Sequence, residues 1–186
     1  MKKPEVIPTL RCLASKYSEM SDHEKAQSYI DRAEKLASDL LPTQKHSESL
    51  YNKVCKVELL LRQKNLPHDK ILQAIETGKS ALELSKQLYG EVSIVTSQAI
   101  LKLGLALCLD PTTRAEGLAM FAQAESQFGK LAEQLEDRDN CDLNFNLLME
   151  FQMTLHQFSQ ENPNSVVLLA SLENEVKKSK WNTIQK

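Results

Sequence analysis

The stretch that comes nearest to a nucleotide site is Thr77-Gly78-Lys79-Ser80. A phosphate-binding loop puts Gly-Lys-Ser after a strand and needs another glycine five residues earlier, so that free backbone amides can wrap a phosphate. That earlier position is Gln73, and Ala74 and Ala81 carry a helical pattern through the segment. Amides already bonded within a helix cannot cradle an anion, so Gly78 is expected to let another helix come close. The histidines His23, His46, His68 and His156 stand far apart, three of them at expected caps or loops, and offer no metal-ligand spacing. Cys12, Cys55, Cys108 and Cys141 include no CxxC pair. Three lie among apolar residues at helical spacing, where a free thiol packs as a small hydrophobe. No GxSxG elbow occurs. Glu133, Glu136, Asp137, Asp139 and Asp142 gather in a polar stretch expected to be solvated surface. Lys177-Lys178-Ser179-Lys180-Trp181 reads as the end of a capping helix whose lysines favour the C-terminal dipole. No catalytic, cofactor-binding or metal-ligating residue is expected, and the chain is not expected to be an enzyme.

The elements that position these residues follow from composition and period. Only 5 Gly and 6 Pro occur in 186 residues, with aromatics at 5%. An all-β fold needs a turn every ~8–12 residues, and the turn-forming residues are too few for that. An all-α fold is expected, with 41% hydrophobic residues to build a core. The net charge of −2 supplies no basic footprint for duplex nucleic acid. No apolar run reaches the ~18 residues of a membrane span, and none follows the charged N-terminus as a secretory signal. No nucleic acid and no membrane insertion are therefore expected. The lack of a disulfide framework points to a reducing compartment, with the cytosol as the expected location.

Eight helices in four antiparallel pairs are expected, forming one domain over 1–186. The first runs from about Thr9 to Glu19, with Leu10, Leu13, Ala14 and Tyr17 on one stripe. Ser21-Asp22-His23-Glu24 reads as a capping box opening the second, which presents Ala26, Ile30, Ala33 and Ala37 and ends near Leu41. Helices follow at about Ser47–Lys64, Asp69–Tyr89, Ser93–Leu109 and, after a second box at Thr113-Arg114-Ala115-Glu116, up to Leu135. Two more are expected at about Asp142–Ser159 and from Pro163 to about Lys180.

The pairs repeat. Leu10, Leu13-Ala14, Tyr17, Ala26, Ile30 and Ala33 form one set of large and small residues; Ile100, Leu103-Gly104, Leu107, Gly117, Phe121 and Ala124 form another. Val54, Val57, Leu61, Ala74, Gly78 and Ala81 form a weaker third, in which Glu58 takes the small position. Small residues let paired helices cross tightly, and large ones fill the gap to the next pair. This pattern resembles the tetratricopeptide (TPR) repeat family over residues 7–135. Repeats fall at about 7–41, 47–90 and 93–135, with a divergent or capping pair at 142–181. Their starts at Leu10, Val54 and Ile100 lie 44 and 46 residues apart, against ~34 in the standard unit. With Leu88-Tyr89-Gly90 closing a unit, they are similar to the long repeats of kinesin light chains. They are similar, too, to the helical C-terminal region of SET-and-MYND methyltransferases.

The resemblance implies a short α-solenoid whose concave face binds a peptide or helix of a partner: an adaptor, scaffold or complex subunit. The alternative is a helical regulatory protein that senses a peptide ligand or acts by dimerisation. The groove residues implied are Arg11, Ser15 and Ser18 in the first repeat, Asn52, Lys56 and Arg62 in the second, and Gln98 and Lys102 in the third. A row of Arg11, Lys56 and Lys102 would suit an acidic or C-terminal carboxylate ligand; the same cations could equally lie on a solvated helix face. The chaperone-binding members use a carboxylate clamp with Asn where this chain has Ser15, and Lys where it has Gln98. Chaperone tails are therefore not the implied ligand.

Overall fold

The computed structural model describes residues 4–41, 46–63 and 65–136. Six helices and no strand occur among them: α1 Val6–Glu19, α2 His23–Leu40, α3 Ser47–Leu61, α4 His68–Tyr89, α5 Ile94–Leu109 and α6 Arg114–Glu136. The helices expected over 142–159 and 163–180 lie outside the described residues. Sequential helices pack on one another, and α3 also lies against α1 and α5.

Small residues set the first pair. Ile7, Leu10 and Ala14 of α1 meet Ala26, Ile30, Ala33 and Ala37 of α2. Leu13, expected on this stripe, is instead 37% exposed, and Ser18 is buried in its place at 4%. Turning the stripe by this amount brings Ile7 inward, since α1 starts three residues earlier than its periodicity indicates. Tyr17 and Tyr29 stack with centroids 5.3 Å apart beside the turn.

That turn corrects the first expected capping box. Asp22 N–H donates to Tyr17 O and Ser21 N–H to Ser18 O, both at 2.9 Å, while Ser21 takes φ 60°. This is a Schellman close of α1, which uses Ser21 as the left-handed residue beyond the helix end. Capping of α2 then falls to Asp22, whose Oδ1 accepts from Lys25 N–H at 3.2 Å. The Lys25 hydrogen bond holds the Asp22 carboxyl below its usual range. At the second box, Thr113 O accepts Gly117 N–H at 3.0 Å, and the Thr113 hydroxyl donates back to Leu107 O at 2.9 Å.

The larger core lies between α3, α4, α5 and α6 around Phe121, Leu103, Leu107, Ile100 and Leu60. None of the sixteen residues of α5 is fully exposed. Its hydrophobic pattern is correspondingly all-round rather than one-faced, as burial from several sides requires. Glycines permit the closest approaches. A Cβ on Gly117 would sit 2.6 Å from Cys108 Sγ and 2.8 Å from Gly104 O. One on Gly78 would meet Leu103 Cδ1 at 3.1 Å. Gly90 ends α4 at φ 85°, a conformation that side chains disfavour.

Buried polar groups lock the α5–α6 register. Ser97, fully buried, donates to Gln127 Oε1 at 2.9 Å, and Gln127 Nε2 donates to Glu91 O at 3.0 Å. Thr96 Oγ1 donates to Gly90 O at 2.8 Å, while Ser93 Oγ caps α5 by accepting from Thr96 N–H at 3.1 Å. Partnering removes most of the cost of burying such groups.

Candidate functional site

The face shared by α1, α3 and α5 carries most of the groove residues implied by the sequence. Their positions follow from the stripe 48, 52, 55, 59 on α3, whose i, i+4, i+7 spacing turns one side toward α1. Arg11 of α1 donates through Nη1 to Glu48 Oε2 at 2.5 Å and to Asn52 Oδ1 at 3.0 Å. Its guanidinium also lies 5.4 Å from the centroid of the Tyr51 ring. Tyr51 and Tyr89 bring their hydroxyls to 3.5 Å, and this contact raises the Tyr51 pKa above its ordinary value. Ser15 Oγ stands 3.9 Å from Cys55 Sγ.

One turn or so along α3, Glu58 faces two cations. Its Oε1 accepts from Arg62 Nη2 at 2.7 Å and lies 3.9 Å from Lys102 Nζ of α5. The Lys102 side chain is only 11% exposed, which reduces solvent screening of the pair.

The expected row of three cations is not assembled. Arg11 and Lys102 each reach α3, but Lys56 turns to α2, where Nζ lies 2.7 Å from Glu34 Oε2 and 3.9 Å from Asp31 Oδ1. A residue at position 56 of α3 follows Asn52 by one turn plus 40°, enough to rotate it from the α1 side toward α2. Ser18 and Asn52 are buried, and among the described residues Ser18 Oγ and Asn52 Nδ2 have no hydrogen-bond partner. Gln98 is partly buried on α5. Glu48 and Tyr51 belong to this face but were not singled out by the repeat pattern, and Glu58, given there the small packing position of the second repeat, faces it as well. A carboxylate on the same side of α3 as Asn52, four residues away, was the available signal for Glu48.

The other segments with chemical side chains take structural places. Thr77 to Ser80 lies within α4, where Gly78 is buried against α5. His46 caps α3, its Nδ1 accepting from Glu48 N–H at 3.2 Å, which places a ring proton on Nε2. His68 begins α4. Burial pushes the Cys55 thiol up to about 11 and the Cys108 thiol up to about 12, so neither is an activated nucleophile. Cys12 is exposed. Among the described residues, no three His, Cys, Asp or Glu are grouped to hold a metal, and no helix is long and apolar enough to cross a membrane. His156, Cys141, Asp137, Asp139, Asp142 and the Lys177–Trp181 cluster lie outside the described residues.

No protein-family model matches this chain, and no curated protein matches it either.

Proposed function

We propose that the chain is a non-enzymatic protein–protein interaction module, built as a short TPR-like α-solenoid and acting as an adaptor, scaffold or complex subunit. Its ligand is a peptide or helix of a partner, held on the face shared by α1, α3 and α5. The observation that carries this reading is the lateral bridging of those three helices. Arg11 of α1 joins Glu48 and Asn52 of α3, and Lys102 of α5 faces Glu58 of α3. First helices aligned in this way form one extended surface, on which a ligand meets several equivalent positions at once.

The electrostatics of that face narrow the ligand. Glu48 and Glu58 already neutralise Arg11, Arg62 and Lys102 in part, so an all-acidic segment finds no free positive row. Tyr51 and Tyr89, each more than one third exposed, add aromatic surface at the rim. Aromatic side chains of this kind often carry interface energy. A segment with mixed charge and an apolar anchor suits the surface best.

A photo-crosslinking benzoylphenylalanine replacing Tyr51 in the full chain tests the reading. Expected is a discrete partner polypeptide cross-linked from position 51 and not from the same group placed at exposed Lys79 on α4. Equal capture from both positions, or capture from neither, would overturn it.

A further inference from the structure

A second surface opens on the other side of α2. An open groove of about 660 Å³ runs over α2, the end of α3 and the start of α4, and none of its lining residues belongs to α1 or α5. Along α2 it extends from His23 to Lys35, twelve residue steps of helix, or ~18 Å. Leu60, a core residue only 1% exposed, lies at its floor.

Its charges differ in kind from those on the α1–α3–α5 face. Arg32, Lys35 and Lys70 line the groove, and among the described residues none of the three is ion-paired with a carboxylate. Arg32 lies over the Tyr29 ring at 5.5 Å, an arrangement that leaves the guanidinium N–H edge available. Lys70 donates to the neutral Gln73 at 3.2 Å. Two carboxylates share the groove, and Lys56, whose nearer partner is Glu34 at 2.7 Å, offsets Asp31 only in part. Asp31 lies 3.9 Å from Lys56, and Glu24 sits in the first turn of α2, where the helix dipole favours a negative charge. The lining thus carries three cations against two carboxylates, an excess of one positive charge.

We propose that this groove binds an extended, acidic segment of a partner protein. An extended chain advances ~3.3 Å per residue, so the groove accommodates about six residues. Alternate side chains of such a segment fall on one side at ~6.6 Å intervals. Arg32 and Lys35, three residues apart on one helix, hold their Cβ atoms ~5–6 Å apart and match acidic side chains at that interval. Ser28 and Gln63 supply hydrogen-bonding groups for a peptide backbone, while Gln27 Nε2 already donates to Asp31 Oδ1 at 2.8 Å. The interspersed Glu24 and Asp31 oppose a continuous polyanion such as RNA but leave room for discrete carboxylates. This site is independent of the α1–α3–α5 face, and either can fail alone.

Fluorescence anisotropy on the full chain provides the test, with a fluorescein-labelled peptide of about six residues alternating glutamate and leucine. The wild-type protein is expected to bind it in ~0.1 M salt and to reject the glutamine–leucine counterpart. The triple variant R32E/K35E/K70E is expected to lose at least about tenfold in affinity, and K79E, outside the groove, to stay within about twofold. The neutral triple R32Q/K35Q/K70Q, with its helicity checked by circular dichroism, is expected to weaken binding in the same direction if charge reversal harms folding. No binding by wild type at millimolar peptide, or undiminished affinity in a folded triple variant, would overturn the proposal. Tighter binding of a uridine hexanucleotide than of the peptide would overturn it as well. Loss of crosslinks at position 51 with peptide binding intact would count against the α1–α3–α5 face alone.

Discussion

The first and last helix pairs of the described array solve the same packing problem at different distances. Where α1 crosses α2, Ala14, Ala26 and Ala33 are buried, and a methyl group fits at each. Where α5 crosses α6, Gly104 and Gly117 meet so closely that a Cβ on Gly117 would approach a backbone oxygen to 2.8 Å. The α1–α2 pair keeps one charged outer side, whereas α5 is enclosed by α3, α4 and α6. Small residues in this chain have two roles. Alanine sets the spacing of a pair with one free side, and glycine pulls a neighbour onto a helix already surrounded.

The largest expected effect tests the enclosed end. Phe121→Ala, which empties a site only 1% exposed, is expected to cost about 3–5 kcal/mol in urea unfolding. A smaller loss than that of Ile30→Val, ~0.5–1.5 kcal/mol at the other pair, would break the comparison. Gly117→Ala should be destabilising by ~1–3 kcal/mol, because the added methyl meets Cys108 Sγ and backbone. At the first pair, Ala26→Gly is expected to cost only ~1 kcal/mol, mostly through helix propensity. If the Gly117 substitution stabilised the protein instead, the close crossing would be wrong.

Polar contacts sharpen the same contrast. Gln127→Ala leaves Ser97 and Glu91 O without their α6 partner and is expected to cost ~1–3 kcal/mol. Ser93→Ala removes the cap of α5, at ~1 kcal/mol. The smallest effect at neutral pH is that of the thiols. Cys108 is raised from 9.0 to about 12 by burial, so the unfolded chain ionises first as pH rises. The stability associated with this shift is complete below pH 9 and lost progressively as pH approaches 12. Thermal unfolding of Cys108→Ala should therefore fall less steeply than wild type above pH 9, with little change in slope below it. Parallel curves would show that the thiol is not shielded by the α5–α6 crossing.

Much of the helical layout was legible from residue period and punctuation. Ser93 before α5 and Asp110-Pro111 after it mark their element closely, and Gly78, Gly104 and Gly117 stand at close crossings as their positions in the pattern indicate. The start of α2 shifted by one residue because Ser21 serves the end of α1, and two helix ends competed for three turn residues. The direction of Lys56 was not legible. Side chains four residues apart differ by 40° around a helix, and only the placement of α2 decides which side that 40° meets. The partners of the groove cations were hidden for a related reason. Glu48 lies 37 positions from Arg11, a separation on which local spacing carries no information.

The three described cysteines form a graded set: Cys12 in solvent, Cys55 at 9% exposure between the first two pairs, and Cys108 at 4% beside the glycine crossing. A thiol reagent reaches each only as fast as its surroundings open. Modified in order, they constitute an internal clock of local breathing, with Cys12 marking the start and Cys108 the parting of α5 from α6. Their lag times turn a packing difference into a sequence of chemical events along one chain.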